Sequence, residues 1–248
     1  MNFSIVIPLI LGWAAALLVN YLADVLPATR QLASPVCRQC EVKFAWTEYL
    51  MLKKSSNCDH PRGWRTWLTQ VLGVATAIYT WLFPPEALGF WLGFFLLIYF
   101  AVVFIIDIEH RLVLHPVSYF GIALGLLVGT KLHGFSSSLL GGITGFGIMF
   151  SLYYLGVLFA RWISRRRGEN VIEEGDALGF GDVNLAGVLG LILGWPLIWI
   201  GILTAILAGG AVSLVIILGM LVLKRYESFA AIPYAPFLIL GAIFLLYF

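Results

Sequence analysis

Runs of apolar residues about as long as a membrane is thick dominate this sequence. An α-helix needs about 20 predominantly apolar residues to cross the hydrocarbon core. On that rule spans fall at residues 3–22, 67–83, 87–106, 113–130, 138–160, 183–195, 197–223 and 233–248. The sixth is short and the seventh long, with Gly194, Trp195 and Pro196 at their shared boundary. Composition agrees, since 61% of the residues are hydrophobic and 11% charged, against about 25% charged in soluble proteins. The expected fold is all-α: a polytopic membrane helical bundle of about eight spans with a small cytoplasmic loop subdomain that carries cysteines. The expected organisation is a first transmembrane span over 1–22, a cysteine-bearing cytoplasmic loop over 23–66 and a membrane core over 67–248. The first apolar run has no basic residue ahead of it and no small-residue cleavage site, so it reads as a retained span.

The net charge of +2 leaves no footprint for nucleic acid, and the expected surroundings are the lipid bilayer. The positions of the charges are more telling. Arg30, Arg38, Lys43, Lys53, Lys54, Arg62 and Arg65 fall between the first two spans, and Arg161, Arg165, Arg166 and Arg167 between the fifth and sixth. Lys224 and Arg225 follow the seventh span, and Arg111 follows the third. The alternate loops, around Pro84, His133 and Trp195, are nearly bare of basic residues. Basic loops stay in the cytoplasm, so the four charged loops lie inside and both ends of the chain outside. That orientation brings Asp107, closing the third span, and Asp182, opening the sixth, to the same cytoplasmic end of the bundle.

A carboxylate at a membrane boundary is costly and by default marks function. Asp107 follows Phe104, Ile105 and Ile106, with Glu109, His110 and Arg111 after it, while Asp182 follows Gly179, Phe180 and Gly181. The glycines let backbone approach backbone or substrate closely. Two carboxylates at one depth suggest an aspartyl dyad that shares a proton and titrates as a unit. One member then activates water while the protonated one polarises a scissile carbonyl, which hydrolyses a peptide without a nucleophilic Ser or Cys. The other reading of the same residues is a pair of interfacial acids matched to Arg111 or another basic neighbour.

With these residues in view the chain resembles the prepilin peptidases, the type IV leader peptidases, membrane aspartyl proteases with a GxGD motif. Gly179-Phe180-Gly181-Asp182 stands as that motif, with Asn184 where the family usually has Lys. Asp107 corresponds to the family's first catalytic Asp, and Pro116 stands in the turn that follows it without the usual Asp. Ile232-Pro233-Tyr234-Ala235-Pro236-Phe237 resembles the family's IPFGPF signature, with Ala235 in place of Gly. Asn20 to Pro27 resembles its Asn-to-Leu-Pro segment, with Val25 where Arg is common. The resemblance implies a cut that removes the short basic leader of type IV prepilins and pseudopilins, usually after a Gly, on the cytoplasmic side of a bacterial plasma membrane. It implies Asp107 and Asp182 as catalytic residues, with Gly179 and Gly181 shaping the site. For many members it also implies methylation of the new N terminus with S-adenosylmethionine, although no glycine-rich nucleotide fingerprint is visible in the sequence.

Three cysteines argue against a simple disulfide framework. Cys37 and Cys40 have the spacing of thiolates that bite one zinc. The family carries CxxC twice in this loop; here Cys58 is present and Pro61 occupies the expected fourth position. His60 completes a structural Cys3His zinc site, with Asp59 a weaker choice; the bland alternative is three reduced thiols. Glu173, Glu174 and Asp176 read as a solvated face balancing the arginines before them, and Gly141, Gly142, Gly145 and Gly147 as close helix packing. Two rival functions stay open on these residues: a small transporter or channel using the acids as a proton relay, and a catalytically silent assembly component anchored by its cysteine loop.

Overall fold

The structure is a computed structural model; it describes residues 5–37, 40, 42–53, 60, 62–167, 179–222 and 233–248. Of the residues singled out above, Arg38, Lys54, Cys58, Asp59, Pro61, Glu173, Glu174, Asp176, Lys224, Arg225 and Ile232 lie outside the described residues. Among the described residues the chain is helical apart from one isolated antiparallel bridge between Val36 and Lys43. In order the helices are α1 (Val6–Thr29), α2 (Trp46–Leu50), α3 (Trp64–Leu82), α4 (Gly89–His110), α5 (His115–His133), α6 (Phe135–Arg167), α7 (Phe180–Leu193), α8 (Leu197–Val222) and α9 (Ala235–Tyr247). A helix lies on every expected span. Four of them are long and apolar enough to cross a membrane: Val6–Thr29, Gly89–His110, Phe135–Phe159 and Leu197–Met220. Phe180–Leu193 and Ala235–Tyr247 are shorter apolar helices.

The chain divides into two compact units, residues 1–106 and 107–248. In the first, α1 packs on α3 through small residues. A Cβ on Gly12 would stand 2.7 Å from the Cα of Val74, and one on Gly73 2.7 Å from the Cβ of Ala16, so the two backbones nearly touch. Phe94 of α4 closes this core against Ala15 and Ala77. Helix α1 runs seven residues beyond the expected end of its span at residue 22, and its polar residues find partners on α3. The Asn20 amide donates to the carbonyl of Thr66 (3.3 Å), and Asp24 is ion-paired with Arg65.

The same Asp24 fastens the cysteine loop. Tyr49 of α2 donates its hydroxyl to Asp24 (2.7 Å). Burial first, and then the Asp24 carboxylate, pushes the Tyr49 phenol far above its ordinary range, so it remains a donor. Arg62 lies 4.5 Å over the Tyr49 ring and 5.2 Å over that of Phe44, and donates to the carbonyls of Tyr49 (3.0 Å) and Glu48 (3.3 Å). This basic residue, which the sequence marks only as a cytoplasmic charge, is a clamp.

In the second unit α7 is the central helix, touched by α5, α6, α8 and α9. Ten of its residues are buried in a helix of 14, so it needs all-round apolarity rather than an amphipathic stripe. Its length, about 21 Å at 1.5 Å per residue, falls short of a membrane core of about 30 Å. Close approach to α6 rests on glycines: a Cβ on Gly141 would fall on the carbonyl oxygen of Gly190 and 2.7 Å from the Cα of Gly194. Gly147, on the same helix, has open space instead. Gly141→Ala is therefore expected to lower stability in detergent by about 1–3 kcal/mol, whereas Gly147→Ala should stay within about 1 kcal/mol of wild type. Thermal unfolding of the two variants side by side checks the contrast; equal losses would refute it.

Candidate active site

The two acids occupy opposite kinds of helix end. Asp107 sits in the last turn of α4, which stops where Arg111 turns left-handed (φ 53°) and donates its backbone N–H to the carbonyl of Asp107 (2.8 Å). Asp182 is the third residue of α7, after the N-cap Gly179. Its carboxylate reaches back to accept the backbone N–H of Gly179, and its own N–H donates to the carbonyl of Gly179 (3.0 Å). An acid at this position satisfies a donor that a helix start leaves orphaned and complements the helix dipole.

The fold brings the two together. Asp182 lies within electrostatic reach of Asp107, and both are buried, with 7% and 4% of their surface exposed. Carboxylates that interact in this way titrate as one unit. Asp107 has a second partner that the sequence does not announce: its carboxylate accepts the backbone N–H of Ala235, the first residue of α9. Pro236 follows and has no N–H, so Ala235 presents the orphan donor of the helix start. The proline-flanked stretch was the available signal, but nothing in it says which acid it serves. Arg111 also acts on Asp107 through its charge. Even so, Oδ2 of Asp107 is buried without a hydrogen-bond partner among the described residues. A buried unsatisfied carboxylate oxygen is rare and calls for a functional reason.

The glycines of the motif divide their work. A Cβ on Gly181 would stand 2.7 Å from the Cβ of Val113 and 3.2 Å from its backbone nitrogen, so this glycine lets α7 start against the segment that follows Asp107. Gly179 has only Oδ2 of Asp182 (3.7 Å) and the nitrogen of Gly181 (3.9 Å) near such a Cβ, and its backbone is extended. Phe180 between them is anchored on α6, its ring edge-on to Tyr153 (5.9 Å) and Phe146 (6.5 Å).

Residues 94–214 match the model of the type IV leader peptidase family. Both acids and the glycines lie inside it. No curated protein and no solved structure matches the chain significantly.

A second cluster lies in the first unit. The backbone N–H groups of Cys37 and Phe44 donate to the carbonyls of Val42 and Pro35 (both 2.8 Å), which sets residues 35–37 beside 42–44. One ligand atom each from Cys37, Cys40 and His60 falls within 4.8 Å of the others. Two thiolates and an imidazole at this range suit a zinc ion. Cys58, the further expected ligand, lies outside the described residues.

The two motif glycines should respond differently to a methyl group. Gly181→Ala is expected to reduce leader cleavage at least about tenfold by pushing α7 away from Val113. Gly179→Ala meets only ordinary van der Waals contact and should keep cleavage within about threefold of wild type. Initial rates on a leader peptide decide the matter, and equal sensitivity would refute the assignment.

Proposed function

We propose that this protein is a leader peptidase: an aspartic endopeptidase that removes the basic leader of prepilins or pseudopilins, with Asp107 and Asp182 as the reacting pair. The observation that carries the reading is the buried pair itself, with an oxygen of Asp107 left unpartnered beside Asp182. The match of residues 94–214 to the type IV leader peptidase family model supports leader cleavage. In the reaction one carboxylate takes a proton from water as its oxygen attacks the scissile carbonyl. The other carboxyl gives its proton to the carbonyl oxygen. Collapse of the tetrahedral intermediate breaks the C–N bond: the first carboxyl protonates the leaving amine, and the second carboxylate takes back the proton of one hydroxyl as the new carboxyl group forms. The Ala235 and Gly179 N–H groups hold the two carboxyls in orientation throughout.

The bundle is read as eight spans in a bacterial plasma membrane, with the basic loops and both acids on the cytoplasmic side. In this reading residues 1–22 form the first span, 23–66 the cytoplasmic loop and 67–248 the protease core. The loop holds zinc through Cys37, Cys40 and His60, with Cys58 as a further ligand; the ion supplies structural cross-linking to a segment too short for a core of its own. Methylation of the new N terminus with S-adenosylmethionine rests on the family resemblance alone, and the cleavage assay tests it when the methyl donor is added.

Asp107→Asn and Asp182→Asn are each expected to lower cleavage of a prepilin-type peptide by at least about a hundredfold, with the detergent-solubilised protein still folded. Two folded variants that cut normally would sink the dyad and bring the transporter and silent-component readings forward. For the loop, bound zinc measured by elemental analysis should be close to one per chain and fall by more than half in Cys37→Ser, with a lower melting temperature. A chain without zinc and without that difference would reject the metal site.

A further inference from the structure

Helix α1 carries the chain past the expected border of the first span, yet the loop that follows turns back to that border. Tyr21 stands one residue before the expected end of the span at residue 22. Its hydroxyl donates to the carbonyl of Ala33 (2.7 Å), although α1 continues from Tyr21 to Thr29, about 12 Å further at 1.5 Å per residue. Trp46, which opens α2, packs on the same side chain, its ring centroid 5.3 Å from that of Tyr21. Side chains on a helix lean toward its N-terminus, which for α1 is the direction of the bilayer. Ala33 and Trp46 are therefore held about level with the membrane border.

The loop residues at this level are apolar and open. Leu32, next to Ala33, is exposed over half or more of its surface, and so are Trp46, Leu50 and Met51. Trp46 and Leu50 are four apart and share one face of α2, while Tyr49 is turned inward and bonded to Asp24. Scattered exposed apolar side chains are ordinary, but four in a short loop pinned to the edge of a span mark a contact surface. The charges around them point to the partner. Lys43 and Lys53 flank α2 and are exposed, and residues 30–65 carry seven Lys or Arg against Glu41, Glu48 and Asp59. Such a surface repels a basic peptide and draws an anionic headgroup.

We propose that this loop carries an interfacial membrane anchor. Leu32, Trp46, Leu50 and Met51 dip into the boundary between headgroups and acyl chains, and Lys43 and Lys53 meet anionic lipid headgroups above them. The cysteine loop is then fastened twice, to the bilayer through the face of α2 and to α1 through Tyr49 and Asp24.

The test places the full chain in nanodiscs of equal phosphatidylcholine and phosphatidylglycerol, with or without bromine near the headgroup end of the acyl chains. The chain has nine tryptophans, so the Trp46 signal is read as the emission that Trp46→Phe removes. Brominated lipid is expected to quench at least about half of that signal, and iodide in the water little of it. Met51→Trp adds an emitter on the same exposed surface and should show the same preference, which keeps the test standing should Trp46→Phe lose its fold. Emission quenched by iodide and untouched by brominated lipid overturns the proposal. Emission that neither quencher reaches also overturns it, since a second copy of the chain or another protein then covers the face. Lys43→Gln with Lys53→Gln should weaken the lipid quenching in these discs and leave it unchanged in discs of phosphatidylcholine alone. An equal change in both, or none in either, overturns the headgroup contact.

Discussion

Helix α7 can lie at the centre of its unit only because its neighbours carry no side chain where they meet it. Gly141 and Gly190 face each other backbone to backbone, and a Cβ on Gly145 would strike the carbonyl of Ala186. In lipid the hydrophobic effect does not drive one apolar helix onto another, so close packing and satisfied polar groups must do it. The last turn of α7 shows the second half of that rule. Ser138 donates its hydroxyl to the carbonyl of Leu191 (2.7 Å), Ser137 donates to that of Trp195 (2.8 Å), and the N–H of Trp195 donates to the carbonyl of Ser137 (3.0 Å). With its far end tied to α6 and its body in backbone contact, α7 has a fixed start. That start is where Asp182 stands, and the missing side chain of Gly181 determines how near it comes to the segment after Asp107.

An acid in the first turn of a helix has an ordinary explanation, and the Gly179 N–H accepted by Asp182 is that explanation at work. A capping role and a reacting role do not exclude each other here. The cap accounts for one hydrogen bond of one carboxylate. It leaves unexplained why α4 ends in another acid beside it, why that acid is buried, and why Oδ2 of Asp107 has no partner among the described residues. A protein selecting only for helix stability would place its acid on the solvent side of the first turn. The cap is better seen as the device that holds the Asp182 side chain in one rotamer, which a reacting group also needs.

Much of this was legible in the sequence because it depended on local composition. Apolar runs of membrane length marked the helices, Gly141, Gly142 and Gly145 announced close packing, though Gly147, expected with them, faces open space, and two acids at span ends stood out against their surroundings. What was not legible depended on pairing between distant residues. The first span was expected to end at residue 22, yet α1 continues to Thr29, with Asn20 donating to Thr66 and Asp24 paired with Arg65. Arg62 counted as one more inside charge, although its guanidinium spends its contacts on Phe44, Tyr49 and three carbonyls. Gly181 left open whether backbone or substrate would come close, and the neighbour that a Cβ there would meet is Val113. The cysteine loop was expected to gather Cys37, Cys40, Cys58 and His60, and of these Cys37, Cys40 and His60 lie together among the described residues.

The matched family segment, residues 94–214, contains both carboxylates and ends before α9 begins. The donor to Asp107 therefore comes from outside the segment by which the family is recognised, from a turn more than 120 residues further along the chain. A carboxylate buried at a helix end is costly unless something charged or hydrogen-bonding meets it, and within unit two α9 meets this cost with its first amide. The short helix thus has a reason to be where it is beyond filling apolar volume. Its start is rigid because Tyr234 caps it and Pro236 follows the donor, and a rigid donor holds an acid better than a mobile loop does. The two acids and the backbone amide that meets Asp107 are encoded far apart, and what joins them is the packing of α9 against α7 and α8.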